Sequence, residues 1–170
     1  SNEQVGLTAA HTLLVREHDR LAKEMAAAHP DWTDEQIYQR ARKVVGAEVQ
    51  VITFNEFLPA LMGPYAPGPN GTYDPNVNPS VLNEFSTAFF RVGHTMLSPQ
   101  LLRIQNDGGP APGGPIELKD AFFVPHNMSG GADLEYILKG LATERQQEID
   151  NQIVDAVRNF LFGEPLPGAG

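Results

Sequence analysis

The segment STAFFRVGHTMLSP, residues 86–99, carries one histidine and one arginine among mainly apolar side chains. Arg91 and His94 are three residues apart, so in a helix they lie on the same face. A single imidazole on an apolar helix can bind a metal, transfer a proton or hydrogen-bond to a buried carbonyl. The chemistry of this segment therefore depends on what else the chain places around His94.

The chain offers His94 few partners for a metal site that is built from protein ligands alone. Zinc and di-iron sites require several cysteine, histidine or carboxylate ligands. This chain has no cysteines, and neither a second histidine nor a Glu-x-x-His motif lies on the same turn as His94. Haem needs only one axial protein nitrogen, because the porphyrin supplies the other four ligands, and Arg91 suits a propionate. Spacing alone leaves two interpretations open: an axial haem ligand, or a core histidine bonded to a carbonyl.

Two neighbours of His94 indicate contact with a large group. Phe90 is four residues before His94 and shares its face if the segment is α-helical. Gly93 costs about 1 kcal/mol relative to alanine inside a helix. Such a glycine indicates close approach by another helix or by a cofactor.

The other histidines offer less chemistry. His11 and His18 are two helical turns apart, too far to share one metal without a third element, and we expect them to pack and to form hydrogen bonds. His29 is predicted at a helix C-terminus, where a cation is favourable. His126 is predicted in a loop and receives no role.

The composition excludes several classes of protein. The chain of 170 residues fits one domain, 41% of its residues are hydrophobic, and its net charge is -9. It has no basic stripe for a phosphate backbone, which argues against nucleic acid as a partner. No window of about 18 apolar residues could span a membrane, and the first residues have no secretory signal pattern.

Apolar spacing and capping residues predict a mainly helical fold. The predicted helices cover residues 7–29, 33–59 with a break at 53–59, 78–97, 133–140 and 143–163. Their predicted N-caps are Thr8, Thr33 with Gln36 in a capping box, Asn78 followed by Pro79, Asp133 and Thr143. The second helix is predicted to be long and mostly buried.

The remaining segments predict irregular structure and one small sheet. Residues 63–80 are rich in proline and glycine and form a long loop. Leu101 to Gln105 alternates like a strand, 106–109 is a turn, and the chain returns as a hairpin through residues 116–118. The tail, 163–170, has no periodicity. The fold class is therefore mainly α, with several irregular helices and at most a small β-hairpin.

Three segments together resemble the animal-type haem peroxidase family. They are LTAAHTLLVREHDRLAKEM (7–25), WTDEQIYQRARKVVGAEVQVITFNEFLP (32–59) and AFFRVGHTMLSP (88–99). The strings H-T-x-x-x-R-E-H-x-R-L-A and F-R-x-G-H-T, at this separation, are specific to it. The resemblance covers nearly the whole chain, and it implies that residues 1–170 are a partial haem peroxidase domain, the proximal-histidine segment. The absence of cysteines is closer to bacterial members.

The resemblance also implies roles for individual residues. His94 matches the proximal axial ligand of the haem iron, and Arg91 matches the arginine that salt-bridges a propionate. Glu3 matches the carboxylate that forms an ester with a haem methyl in many members. Gln4 stands where some members carry a methionine joined to a vinyl group, so that link is not expected. The implied cofactor is haem b, with an ester through Glu3 as a further implication.

The resemblance assigns no catalytic residue to this chain. The distal arginine and histidine, a second ester-forming aspartate and the calcium loop match positions before Ser1, and the asparagine that hydrogen-bonds the proximal histidine matches a position after Gly170. The resemblance implies a peroxidase that reduces hydrogen peroxide and oxidises small donors, halides or phenols. The isolated chain, without the remainder of the domain, is expected to be weak or inactive. The family makes a secreted or extracytoplasmic location the expectation.

One alternative remains open from the sequence. The chain could be a non-catalytic helical fragment that binds haem loosely or not at all. In that case its apolar haem face would promote self-association.

Overall fold

The computed structural model describes residues 3–68, 72–123 and 133–159, and it confirms a mainly helical fold with one small sheet. The helices are α1 (Val5–Ala28), α2 (Asp34–Ile52), α3 (Leu58–Met62), α4 (Asn83–Thr87), α5 (Asp133–Thr143) and α6 (Asp155–Arg158). The chain divides into two compact units, one of residues 1–11 and 80–170 and one of residues 12–79. Within the described ranges, no helix has the length and hydropathy needed to cross a membrane.

The unit of residues 12–79 contains the predicted capping box. The Thr33 hydroxyl oxygen accepts from the Gln36 backbone N–H at 3.3 Å, and the Gln36 amide oxygen accepts from the Thr33 N–H at 2.8 Å. The backbone N–H groups of Thr33 and Gln36 at the start of α2 therefore both have acceptors, which they would lack at an uncapped helix end. The predicted start of this helix is confirmed.

Thr33→Ala is expected to lower the free energy of unfolding by about 1 kcal/mol, because it removes the side-chain acceptor at the N-cap. Thr33→Ser keeps the hydroxyl and is the matched control. Urea unfolding followed by circular dichroism measures both variants. Equal midpoints for the alanine and serine variants would show that the box contributes nothing.

The predicted break after α2 is a wider helical turn. Residues Thr53–Phe57 form a π-helix, in which the Leu58 N–H bonds to the Thr53 carbonyl, and α3 follows. Pro59 has no N–H and cannot make the next α-helical bond, while the Thr53 hydroxyl donates to the Val49 carbonyl at 2.7 Å. The chain stays helical across the break because the turn widens.

The prediction that this helix is mostly buried is wrong. Ala41 is its one buried residue, and Val49 and Ile52 are 41% and 49% exposed. Hydrophobic periodicity shows which face a helix can bury, but it does not show that a partner covers the face.

The proline-rich loop is irregular over much of its described length. Residues 66–68 and 72–82, which lie in this loop and directly after it, form neither helix nor strand. The predicted tail, 163–170, and His126 lie outside the described residues.

The buried core belongs to the unit of residues 1–11 and 80–170. Strands β1 (Gln100–Leu101) and β2 (Ile116–Glu117) pair antiparallel, with Leu101 opposite Ile116, and this confirms the predicted hairpin at reduced length. Its 106–109 turn is closed by the Gln105 N–H, which donates to the Gly109 carbonyl at 2.8 Å. The buried cluster consists of Val5, Ala9, Leu101, Leu118, Ala121, Leu134, Ile137 and Val157.

The first helix begins earlier than predicted, and Thr8 is not its cap. The helix begins at Val5, and the Thr8 hydroxyl donates to the Gln4 carbonyl at 3.0 Å from inside the first turn. The Gln4 side-chain oxygen accepts from the Leu7 N–H at 2.7 Å and so takes the capping role. Glutamine is outside the usual set of N-caps, which is why the pattern pointed to the threonine.

The predicted helix over 78–97 is two shorter elements, and Asn78 does not cap it. Helix α4 begins after Leu82, and a 3-10 helix of residues Phe89–Met96 follows it. The hydroxyls of Ser86 and Thr87 both donate to the Asn83 carbonyl. Such side-chain bonds compete with the helical backbone bonds, and the helix stops at Thr87.

The predicted helix over 143–163 is also wrong in its described part. Thr143 is the last residue of α5, and its hydroxyl donates back to the Lys139 carbonyl at 2.7 Å. Asp150 then accepts from the Gln152 N–H at 2.6 Å in a local turn that replaces a helical bond. Only Asp155–Arg158 is helical beyond this point in the residues described.

Candidate functional site

The 3-10 helix Phe89–Met96 places Arg91 and His94 on one face. Residues i and i+3 eclipse one another in a 3-10 helix, so these two side chains are aligned more directly than an α-helix would align them. Phe90 is four residues before His94, which is one residue more than a full 3-10 turn. The two side chains therefore point to different faces, and the expectation that they share one is wrong. The pair predicted from spacing is kept, but through a different helix type.

Both side chains of this pair are available to a ligand. His94 is half-buried and Arg91 is exposed, and neither side chain has a hydrogen bond or ion pair with any residue of the described ranges. A core histidine would be buried and bonded to a carbonyl. The observed partial exposure of His94 and its lack of a hydrogen bond among the described residues do not fit a core histidine, which is one of the two interpretations that the sequence left open.

The pair is flanked by uncovered aromatic surface. Phe89 and Phe90 are 71% and 67% exposed, and Val92 is exposed as well. The rings of Phe85 and Phe90 have centroids 5.7 Å apart. Apolar side chains grouped in this way around a charged residue are typical of a binding surface.

Gly93 faces open space among the residues that the structure describes. A Cβ added there would meet no atom within 4 Å, so the close approach predicted at this glycine is not made by the described residues. The close approach in this unit is instead at Gly140, where a Cβ would lie 1.7 Å from the Leu102 carbonyl oxygen. The cofactor contact at Gly93 stays a prediction.

Glu3 is held at the edge of the same unit through its backbone. The Phe123 N–H donates to the Glu3 carbonyl at 2.8 Å, and Gln4 pairs with Phe122 in an isolated antiparallel bridge. Phe123 has a φ of 58°, a conformation that a bulky residue rarely adopts. No hydrogen bond or ion pair joins Glu3 to Arg91 or His94.

Within the described residues, His18 and His29 contact other protein groups and are not part of a metal site. The His18 Nε2 is 3.2 Å from the Tyr38 carbonyl oxygen, as expected for a hydrogen-bonding residue. His29 follows the end of α1 and stacks on Trp32 with ring centroids 3.9 Å apart. Within the described residues, no group of three or more histidines and carboxylates could hold a metal ion.

The shifted pKa values belong to an ion pair on α1. The Arg20 guanidinium donates hydrogen bonds to the Glu17 carboxylate, which lowers the pKa of Glu17 and raises that of Arg20. Both groups face solvent, where such pairs contribute little to stability.

Two polar connections of this unit are not predicted by the sequence. Arg103 forms an ion pair with Asp133 at 2.6 Å and donates to the Pro112 carbonyl at 3.0 Å. The Gln147 N–H donates to the Met96 carbonyl at 3.1 Å. The Arg103–Asp133 ion pair and the Gln147–Met96 bond join residues thirty or more positions apart, a separation at which spacing patterns carry no signal.

Comparisons with known proteins give one family. A sequence model described as "Animal haem peroxidase" matches residues 1–170. "Peroxinectin A" of Dictyostelium discoideum is 39% identical over 167 residues, which are 98% of this chain and 30% of that protein. "Myeloperoxidase" of Homo sapiens is 41% identical over 174 residues, which are 98% of this chain and 23% of that protein.

A solved structure agrees with the sequence comparisons. Peroxidase A from Dictyostelium discoideum superposes with a TM-score of 0.89 at 38% identity, over 98% of this chain and 32% of that one. The chain therefore spans about a third or less of the length of these relatives.

Proposed function

This chain belongs to the animal haem peroxidase family, and from that premise we propose that it supplies the haem-ligating side of a peroxidase, with His94 as the axial ligand of the iron. The observation that carries the proposal is the alignment, on one short helix, of an exposed guanidinium with an imidazole that has no partner among the described residues. The whole protein is proposed to reduce hydrogen peroxide while it oxidises small donors of the halide or phenol type.

The residues around His94 fit haem by the chemistry of their donors. An imidazole is a usual axial ligand, and a guanidinium forms paired hydrogen bonds with a carboxylate such as a propionate. The exposed rings of Phe89 and Phe90 offer apolar surface of the kind that a porphyrin needs. All three parts lie within eight residues of sequence.

Each residue has a separate task in the proposed mechanism. When bound, haem supplies the redox-active iron at which hydrogen peroxide is reduced and a donor is oxidised. His94 presents one ring nitrogen without its proton and keeps the proton on the other nitrogen. Arg91 neutralises a carboxylate and fixes the orientation of the bound group.

Peroxide cleavage also needs a base that takes a proton from one oxygen and returns it to the other. A His94 nitrogen that held the iron would not be available for this proton transfer. The family resemblance assigns no residue of this chain to that base. The 170-residue chain by itself is therefore proposed to bind haem with little or no turnover.

Glu3 is proposed as a second attachment point, through an ester in which its carboxylate oxygen replaces one hydrogen of a methyl of haem b. Forming this bond is a two-electron oxidation of the methyl, for which one hydrogen peroxide would be the oxidant and would be reduced to two waters. The supporting observation is that the backbone of Glu3 is fixed by Phe123 in the unit that also carries His94. Mass spectrometry of haem-bound protein that has been treated with hydrogen peroxide tests the link, because an ester survives denaturation and Glu3→Gln would abolish it.

A second candidate is a helical fragment that associates with itself through the Phe89 and Phe90 surface. The exposure of both rings favours it. Light scattering over a range of protein concentrations separates the two candidates. A hemin-dependent loss of association supports haem binding at this surface, whereas association that hemin does not change supports the second candidate.

Arg91→Ala is expected to weaken hemin binding about tenfold, the effect of one charge-assisted bond of roughly 1.4 kcal/mol. Arg91→Lys keeps the charge but loses the paired geometry, and an intermediate affinity is expected. Titrating both variants against hemin dimethyl ester, which has no free propionates, is the control. If the alanine variant and the parent chain bind hemin equally well, Arg91 has no propionate partner.

The experiment that tests the proposed function is a hemin titration of the parent chain beside His94→Ala. A Soret shift that saturates at one hemin per chain and depends on His94 supports the proposal.

A further inference from the structure

The position of the His94 imidazole depends on what holds a weak helix in place. The 3-10 helix Phe89–Met96 has no buried residue, and hydrogen-bond geometry in 3-10 helices is poorer than in α-helices. The preceding helix α4 has no buried residue either. The amino-terminal end of the helix is therefore not fixed by a core.

The carboxyl-terminal end of this helix is held by another segment of the same unit. The Met96 carbonyl is one of the orphan acceptors that a helix end leaves, and the Gln147 N–H donates to it at 3.1 Å. The Gln147 side-chain amide also lies 3.4 Å from the Ser98 hydroxyl oxygen. Leu97, between the two contacts, packs against the buried cluster.

The segment that provides Gln147 is itself anchored. Its local turn is closed by the Asp150 carboxylate, which accepts from the Gln152 N–H at 2.6 Å, and Val154 packs against the buried cluster. Thr95, next to His94, lines one small cavity of about 270 Å³ together with Gln147 and Val154. The segment thus connects the core to the end of the helix that carries the imidazole.

We propose that Gln147 is a positioning residue for His94. Its backbone N–H fixes the end of the 3-10 helix and thereby sets where the imidazole stands. The inference rests on the proposed function only in taking His94 as the iron ligand. Gln147 is exposed, so its replacement leaves the buried cluster unchanged.

Proline substitution separates the backbone bond from the side chain. Gln147→Pro removes the backbone N–H, whereas Gln147→Ala keeps the N–H and removes the side-chain amide. Gln146→Pro is the control: it introduces the same ring one residue earlier, at a position that has no hydrogen bond in the described ranges. Each variant is titrated with hemin, and the spin-state mixture is read from the spectrum at saturation. The ring resonance of His94 is recorded by NMR before hemin is added.

Gln147→Pro is expected to bind hemin about tenfold more weakly than Gln146→Pro, the effect of about one hydrogen bond. At saturation its spectrum should shift toward hemin without an imidazole ligand, and its His94 resonance should move in the hemin-free chain. Gln147→Ala should differ much less from the parent. Unchanged far-ultraviolet circular dichroism in all three variants excludes general unfolding.

The inference is overturned if Gln147→Pro matches Gln146→Pro in affinity, saturated spectrum and His94 resonance. Failure of the proposed function is a different result, because the hemin spectrum of the parent would then not depend on His94. In that case the NMR comparison still decides the inference. A His94 resonance that moves only in Gln147→Pro supports it, and one that does not move contradicts it.

Discussion

His94→Ala is expected to lower the affinity of this chain for hemin at least about 100-fold, a difference of roughly 2.7 kcal/mol. The bond between iron and the imidazole nitrogen is the one coordinate bond that we propose the protein makes. Arg91 and the exposed aromatic rings would still hold hemin weakly through a propionate and the porphyrin face. The residual binding should therefore lack the Soret shift of an imidazole complex.

Two histidines serve as matched controls for this result. His29, stacked on Trp32, and His18, bonded to the Tyr38 carbonyl, are removed in the same way. Neither His29→Ala nor His18→Ala should change the affinity by more than about twofold, since neither ring is proposed to reach the iron. Equal losses in all three variants would show that hemin binds this chain without a defined axial ligand.

Gly140→Ala is expected to lower the free energy of unfolding by at least about 3 kcal/mol. The added Cβ would lie 1.7 Å from the Leu102 carbonyl oxygen and 2.4 Å from its carbonyl carbon. Backbone atoms cannot move aside as a side chain can. Helix α5 would have to separate from residues 102–104, which follow β1 and in which the Ile104 N–H now donates to the Tyr136 carbonyl at 3.0 Å.

Gly46→Ala is the control, because a Cβ at this position in α2 would meet no atom within 4 Å. It should stabilise the chain by roughly 0.5–1 kcal/mol, the usual gain of alanine over glycine inside a helix. Both variants are measured by urea unfolding at equal protein concentration. If Gly140→Ala unfolds at the same midpoint as the parent, α5 does not pack on the Leu102 backbone as described.

Two features of the fold that depend on residues close together in the chain were predicted correctly from the sequence. Thr33 and Gln36 lie within one helical turn, and their capping box is present as expected. The small hairpin also follows from its alternation and its 106–109 turn. In each case the residues that make the interaction are near one another in the chain, so the spacing alone predicts it.

The failures occur where distant contacts or competing side chains decide. The hydroxyls of Ser86 and Thr87 end α4 early, and a periodicity argument gives them no weight. Gly140 meets Leu102 only because two elements distant in sequence pack together. The close backbone approach was predicted at Gly93 instead, because a sequence shows that a glycine is unusual inside a helix but does not show which residues approach it.

The candidate site was predictable to a similar extent. Spacing placed Arg91 and His94 on one face, but it did not decide between a haem ligand and a core histidine. The resemblance to a family favoured the ligand, and the structure adds that the imidazole is unpartnered within the described residues. The 3-10 form of the helix and its contact with Gln147 were beyond sequence reasoning, because both depend on tertiary structure.

One measurement tests the axial role of His94 most directly. The chain is prepared with nitrogen-15 histidine and bound to ferrous hemin with nitric oxide, and the electron paramagnetic resonance spectrum is recorded. A nitrogen bonded to the iron opposite nitric oxide adds its own splitting, which changes between nitrogen-14 and nitrogen-15. The account predicts an isotope-dependent splitting in the parent chain that is absent from His94→Ala. A spectrum that does not respond to the isotope, or the same response in His94→Ala, would contradict it.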